Sequence, residues 1–249
     1  MPESSRSRSL ISTAVKVDAA SEAVRIKEAY ARRLQNASDH RYSFLDVSHL
    51  SRIQEIERRM LRVLKRARCA DLKQKKILEI GCGTGFWLRE FIRWGAEPHH
   101  LFGVDLLEDS ITRGKQLCPA GVQLKVADAS RLLLPTAEFD IVFQMTVFTS
   151  ILDSGVKEEI ARQMLRVLKP GGVILWYDFF VNNPRNRDVR GIRRKEILAL
   201  FPRCRVHLER LTVAPPLARV LSRISRLAYN LASAVGVFST HYLGTIQNQ

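Results

Sequence analysis

Three glycines stand at alternate positions, Gly81, Gly83 and Gly85, in the stretch KKILEIGCGTGFWLREF. They follow the apolar run Ile77, Leu78 and Ile80, and after them Phe86, Leu88, Phe91 and Ile92 space out like one face of a helix. A glycine loop between strand and helix aims unpaired backbone N–H groups at a ligand and, having no Cβ, lets it approach closely. The chemistry this suits is the cradling of a nucleotide-like molecule. Glu79 precedes the loop, and Asp105 ends the next apolar run about 20 residues on, where a carboxylate accepts both hydroxyls of a ribose. Asp128, in VADAS, suits an exocyclic amine, and Gln144 stands near the end of a fourth apolar run.

Groups able to move a proton are scarcer. Asp178, in WYDFF, is a weak candidate for a base, its other role being to accept bonds from nearby backbone N–H groups. His241 and His49 are weaker still, because a lone histidine is usually packed or on the surface. Cys69, Cys82, Cys118 and Cys204 are far apart in the chain and form no C-x-x-C pair, so neither zinc nor a disulfide framework is expected, and no metal is assigned.

The elements that must position these residues alternate between strand and helix after Lys76. Strands are predicted at KILEI, HLFGVDL, VQLKVAD, FDIVFQMTV, GVILWYDFF, RVHLERLTVA and HYLGTIQ. Helices fall near Phe86 to Trp94, Glu108 to Leu117 and Val156 to Leu168, the last stopped by Pro170-Gly171-Gly172, and a short one follows the basic loop after Phe180. A long helix is expected from Pro216. The alternation implies a doubly wound α/β sheet whose ligands sit at the carboxyl ends of the strands. Residues 1–74 read as a tail and helical cap, with helices at EAVRIKEAYARRLQ and SHLSRIQEIERRMLRVLKRAR, and 75–249 as the sheet domain.

At 249 residues, with 46% hydrophobic residues, the chain can bury a sizeable core. No apolar run is long enough to cross a bilayer, and MPESSRSRSLIS lacks the apolar centre of a secretory signal, so a cytoplasmic location is expected. The formal net charge of +15 points to phosphates, nucleic acid or anionic lipid as partners.

Taken in order, LEIGCGTG, GVDLLEDSI, VADASRL and LKPGG resemble the class I S-adenosylmethionine-dependent methyltransferases over about residues 75 to 178. The resemblance implies a seven-stranded Rossmann-like sheet of order 3-2-1-4-5-7-6 with the last strand antiparallel. It implies S-adenosyl-L-methionine as cofactor, with Glu79, Gly81 and Gly83 at the methionine part, Asp105 at the ribose, and Asp128 with Ala129 at the adenine. Cys82, Gly85, Leu106 and Gln144 complete the implied cofactor set. Tyr42 joins it from the HRYS segment, which with Tyr30 and Arg41 resembles a lid folded over the cofactor. A nicotinamide dehydrogenase would carry G-x-G-x-x-G where this chain has G-x-G-x-G.

The acceptor is less constrained. Arg190 and Arg194, in the basic loop NNPRNRDVRGIRRK, are expected to bind substrate phosphate, and the helix from Pro216 carries arginines on one side and suits an anionic membrane surface. The expected acceptor is a small or lipid- or glycan-linked molecule, methylated on a hydroxyl. RNA methylation is the alternative, although no N/D-P-P-Y/F motif follows the fourth strand; a noncatalytic scaffold binding nucleic acid through the cap is a third reading.

Overall fold

The computed structural model describes residues 19–35, 43–184, 186–214, 217, 220–221 and 238–248. Two helices come first, α1 (Ala19–Gln35) and α2 (Val47–Arg66), followed by β1 (Ile77–Ile80), α3 (Phe86–Arg93), β2 (Leu101–Asp105), α4 (Glu108–Leu117) and β3 (Gln123–Val126). Then come β4 (Phe139–Met145), α5 (Ser154–Val167), β5 (Leu168–Phe179), α6 (Arg194–Leu200), β6 (Cys204–Val213) and β7 (Ser239–Asn248).

All seven strands form one sheet in the order β3-β2-β1-β4-β5-β7-β6, the order that the family resemblance implies. The β1, β2, β3, β4 and β5 neighbours pair in parallel, and β7 runs antiparallel to both β5 and β6. Because side chains alternate across a strand, each apolar run feeds two cores, one on each face of the sheet. Ile77, Ile141, Phe143 and Leu175 pack with Met60, Leu64 and Phe91 from α2 and α3. Leu78, Ile80, Val142 and Trp176 pack on the opposite face with Ile160, Met164 and Phe201.

The clearest difference from the expected element boundaries lies at the end of α5. α5 ends at Val167, and β5 pairing begins at once at Leu168 through a register shift against β4 around Phe139 and Ile141, so the Pro-Gly-Gly stop lies within the strand. Gly171, with φ of 76°, allows that irregularity. The expected helix from Pro216, apart from Leu217, Val220 and Leu221, lies outside the described residues, as do Arg41, Tyr42 and Arg185. Among the described residues no helix is long and apolar enough to cross a membrane.

Candidate functional site

At the carboxyl ends of β1, β2, β3 and β4 lies a cleft that opens to solvent. Gly81, Asp105, Leu106, Asp128 and Ala129 line its floor and walls together with Ile80, Val104 and Ala127. Residues from four separate strand ends thus converge on one space.

The glycine turn is shaped by its backbone angles. Gly81, Gly83 and Gly85 all have positive φ, at 68°, 51° and 72°, which side-chain-bearing residues rarely adopt. A Cβ on Gly81 would stand 2.4 Å from Val147 Cγ2, whereas one on Gly83 would meet nothing within 4 Å. The turn therefore packs tightly below Gly81 and leaves open space over Gly83. Gly85 precedes α3 and Cys82 is buried under the turn, where burial above all, with Glu79 and Asp105 nearby, pushes its thiol up.

Asp105 clamps the turn to its own strand end. One carboxylate oxygen accepts from Gly83 N at 2.8 Å and the other from Leu107 N at 2.9 Å. Burial raises its pKa, and those N–H donors pull the other way. Asp128 accepts from Ser130 N and Oγ with Oδ1 alone, at 2.8 and 2.7 Å. Glu79 is deeply buried, its pKa raised well above the usual range first by burial and then by Asp105, and its Oε2 has no partner. Gln144 Oε1 accepts from Val147 N at 2.9 Å, while its Nε2 is buried without a partner.

The fourth wall is α1. Ala19, Glu22, Ala23, Ile26 and Tyr30 recur at helical spacing and face the cleft across from the strands. Sequence reasoning placed Tyr30 in a lid but missed Glu22, whose helical stripe is the signal that could have found it. Glu22 Oε1 accepts from Leu152 N at 2.6 Å, and both its oxygens bond Arg25, at 2.8 and 2.9 Å. Arg25 also donates to Ser150 O at 2.5 Å, and Arg32 pairs with Asp188 at 2.9 Å, so α1 is latched to the segments after β4 and β5. Burial raises the Glu22 pKa, but Arg25 and the Leu152 and Asp153 N–H groups outweigh it and hold the carboxyl below its usual value.

A group with a depressed folded pKa stabilises above its unfolded pKa, and this is lost as pH falls through the folded value. Docking of α1 should thus weaken only under acid conditions. Glu22→Ala is expected to cost roughly 1–3 kcal/mol of that docking, because the Leu152 N–H and Arg25 lose their acceptor. Hydrogen exchange should quicken across α1 and stay slow in β1 and β4; equal protection in α1 would show that Glu22 is no latch.

Thr146, Val147 and Ser150, also lining the cleft, were not singled out from the sequence; they follow β4, where Thr146 takes a positive φ of 60°. Asp178 holds this segment from beneath. It is fully buried, accepts from Thr149 Oγ1 at 2.6 Å, Thr149 N at 3.2 Å and Phe179 N at 3.0 Å, and does not line the cleft. It is placed as an acceptor for backbone N–H groups and not as a base at the site. His241 is likewise interior, stacked on Tyr177 at 4.9 Å and bonded to Thr240, with its pKa held down to about 3 by burial and Arg52. His49 is buried on α2, beside Arg52.

Burial raises the Asp178 pKa to about 7. Between the ordinary aspartate value and about pH 7 the folded chain holds a proton that the unfolded chain has released, so this group makes stability fall as pH rises through that window. Asp178→Asn removes the titration. The difference in melting temperature between Asp178→Asn and the unsubstituted protein should therefore shift in favour of the variant between pH 5 and about pH 7, flattening above; a difference independent of pH would contradict the raised value.

Arg190 and Arg194 are exposed and do not line the cleft. Arg190 N donates to Thr149 O at 2.8 Å and its guanidinium to Glu196 at 3.0 Å; Arg194 begins α6. Among the described residues no group of three or more His, Cys, Asp or Glu is arranged to hold a metal ion.

Residues 77–172 match the family model described as a methyltransferase domain. The chain is 33% identical over 109 residues to the ubiquinone/menaquinone biosynthesis C-methyltransferase of Azotobacter vinelandii, covering 42% of each protein. It is 30% identical over 106 residues to the 2-methyl-6-phytyl-1,4-hydroquinone methyltransferase of Synechocystis sp., covering 41% of this chain and 31% of that one. The chain thus spans less than half the length of these curated relatives. Among solved structures, the PH0226 protein of Pyrococcus horikoshii superposes with a TM-score of 0.60 at 18% identity, covering 85% of this chain and 97% of that one. An S-adenosylmethionine-dependent methyltransferase of Mesorhizobium loti gives 0.55 at 17% identity, covering 74% and 96%. In its sheet order, its cleft at the strand ends and its match to a methyltransferase domain over residues 77–172, this chain is similar to the class I S-adenosylmethionine-dependent methyltransferases.

Proposed function

We propose that this protein transfers the methyl group of S-adenosyl-L-methionine to a small or lipid-linked acceptor inside the cleft under α1. One observation carries the reading: Gly81 of the glycine turn, Asp105 and Asp128 come from three different strand ends and line the same space.

The residues fit that cofactor. Asp105, already fixed by Gly83 N and Leu107 N, has spare lone pairs for two ribose hydroxyls, with Leu106 beside it. Asp128 Oδ2 is available to an exocyclic amine along the edge formed with Ala129. The open space over Gly83 admits the methionine part, and the unpartnered Glu79 Oε2 suits its ammonium. Tyr42 is assigned to the same group from its sequence context.

The bound cofactor supplies a methyl already activated by the positive sulfur. What remains for the chain is alignment and exclusion of water, which contribute on the order of 7–11 kcal/mol in well-oriented systems. Ile26, Tyr30, Val147 and Ile151 form a largely apolar enclosure for that purpose.

The expected acceptor atom is a hydroxyl oxygen, with Arg190 and Arg194 meeting any phosphate that extends beyond the cleft. A second reading, methylation of an electron-rich ring carbon, is favoured by the state of the cleft carboxylates. Glu22 is held by Arg25 and the Leu152 N–H, and Asp105 by two N–H groups, which suits an acceptor that brings its own activation. The similarity to a ubiquinone/menaquinone biosynthesis C-methyltransferase supports the same reading.

The test is transfer of label from methyl-labelled cofactor into an extract separated into RNA, lipid and small-molecule fractions. Label is expected in the lipid or small-molecule fraction, and mass spectrometry of the product then separates ether from carbon methylation. Label confined to RNA would overturn the acceptor assignment.

A further inference from the structure

The outward face of α2 and the turn before it take no part in the cleft. Phe44 is 50% exposed and Leu45 95%, and Val47, Leu50 and Leu61 are exposed as well. Positions 47, 50, 54, 58, 61 and 65 share one side of the helix by its 3.6-residue period, while Ile56, Met60, Val63 and Leu64 on the other side enter the core. Arg58, Arg62 and Lys65 stand exposed among the apolar residues of the outer side.

That side is short of negative charge. Of the two acids on α2, Glu55 turns inward to Thr212 N at 3.2 Å, and Glu57 is held by Arg93 and by Trp94 Nε1. Arg59 and Arg66 pair with Glu209 of β6, whereas Arg58, Arg62 and Lys65 make no ion pair among the described residues. Exposed phenylalanine and leucine beside unpaired cations is an arrangement with no reward inside the chain.

The turn also lies next to the glycine loop. The Phe44 ring sits 5.8 Å from Phe86, the residue after Gly85, and 5.2 Å from His49. Whatever engages Phe44 and Leu45 therefore stands close to the start of α3, just after the glycine turn. Nucleic acid would use the cations but has no place for Leu45, Val47 and Leu61 away from its bases. An anionic bilayer surface uses both, apolar side chains entering the acyl boundary and cations meeting lipid phosphate.

We propose that the Phe44–Leu45 turn and the outer face of α2, through Val47, Leu50, Arg58, Leu61, Arg62 and Lys65, dock on an anionic lipid surface. This goes beyond methyl transfer and does not depend on it.

The experiment is sedimentation of the full chain with vesicles of phosphatidylcholine alone or mixed with phosphatidylglycerol. The protein is expected to sediment with the mixed vesicles, not with phosphatidylcholine alone, and less as salt rises. The triple variant Arg58→Gln, Arg62→Gln, Lys65→Gln should lower partitioning about 100-fold, given the typical contribution of each cation near such a surface. Leu45→Ser should lower it about tenfold. Both variants should keep the thermal shift that S-adenosylhomocysteine gives the unsubstituted protein, which separates failure of this surface from failure of the methyl-transfer reading. The proposal is overturned if the unsubstituted protein stays in solution or if both variants sediment as it does. It is equally overturned if Leu45→Ser changes nothing while the triple variant loses vesicles and RNA alike, the result for a general polyanion site.

Discussion

Replacing Asp105 with alanine is expected to lower affinity for S-adenosylhomocysteine by roughly 100- to 1,000-fold and to abolish the thermal stabilisation that this molecule gives. Two effects add. A hydrogen bond to a charged group contributes about 1.5–3 kcal/mol, and the carboxylate is proposed to accept two from the ribose. It also holds the glycine turn in place, since Gly83 N donates to one oxygen and Leu107 N to the other. Asp105→Asn separates the two contributions: its remaining carbonyl oxygen keeps one acceptor, while its amide cannot accept from the second N–H. The asparagine variant should therefore fall between the two in affinity. Full retention of the thermal shift in Asp105→Ala would remove the ribose role.

The second large effect is expected at Gly81. Alanine there must hold a φ of 68°, which costs about 1–2 kcal/mol, and its methyl would stand 2.4 Å from Val147 Cγ2. Val147 lines the cleft and is fixed through Gln144 Oε1, so yielding to the new methyl moves the cleft wall. Gly81→Ala should thus lose stability by about 2–4 kcal/mol, in the range of an overpacked core with backbone strain, and bind cofactor at least tenfold more weakly. Adding Val147→Ala removes the colliding methyl while leaving the backbone strain. The double variant is predicted to regain part of the stability, a coupling read from a double-mutant cycle by urea unfolding. Strict additivity of the two substitutions would show that the close packing of Gly81 on Val147 is not what excludes a side chain.

These two residues were legible in the sequence because their chemistry is local or set by strand order. Positive φ at Gly81, Gly83 and Gly85 follows from a turn between an apolar run and a helix, and Asp105 ends the next run. The alternation of strands and helices implies the doubly wound sheet, and the order of its seven strands came from the family resemblance alone. What was not legible depends on contacts far apart in the chain. The stripe Glu22, Ile26 and Tyr30 shows in α1 as helical periodicity, but nothing local says that it covers the ends of β1 and β2, or that Glu22 bonds Leu152.

Asp178 illustrates the other difficulty. Its place at the end of β5 made it a candidate for the active face, yet the register of β5 between β4 and β7 sets it among Thr149 and Phe179, away from the cleft. Burial of that carboxyl, visible only in three dimensions, turns a candidate base into a support for the Thr146 to Ser150 segment.

The most direct measurement of the central claim is calorimetric titration of the unsubstituted protein with S-adenosylhomocysteine. One saturable site per chain is predicted, its binding enthalpy lost in Asp105→Ala, because Gly81, Asp105 and Asp128 converge on one cleft. Absence of any heat or thermal shift, with S-adenosylmethionine equally without effect, would contradict the account.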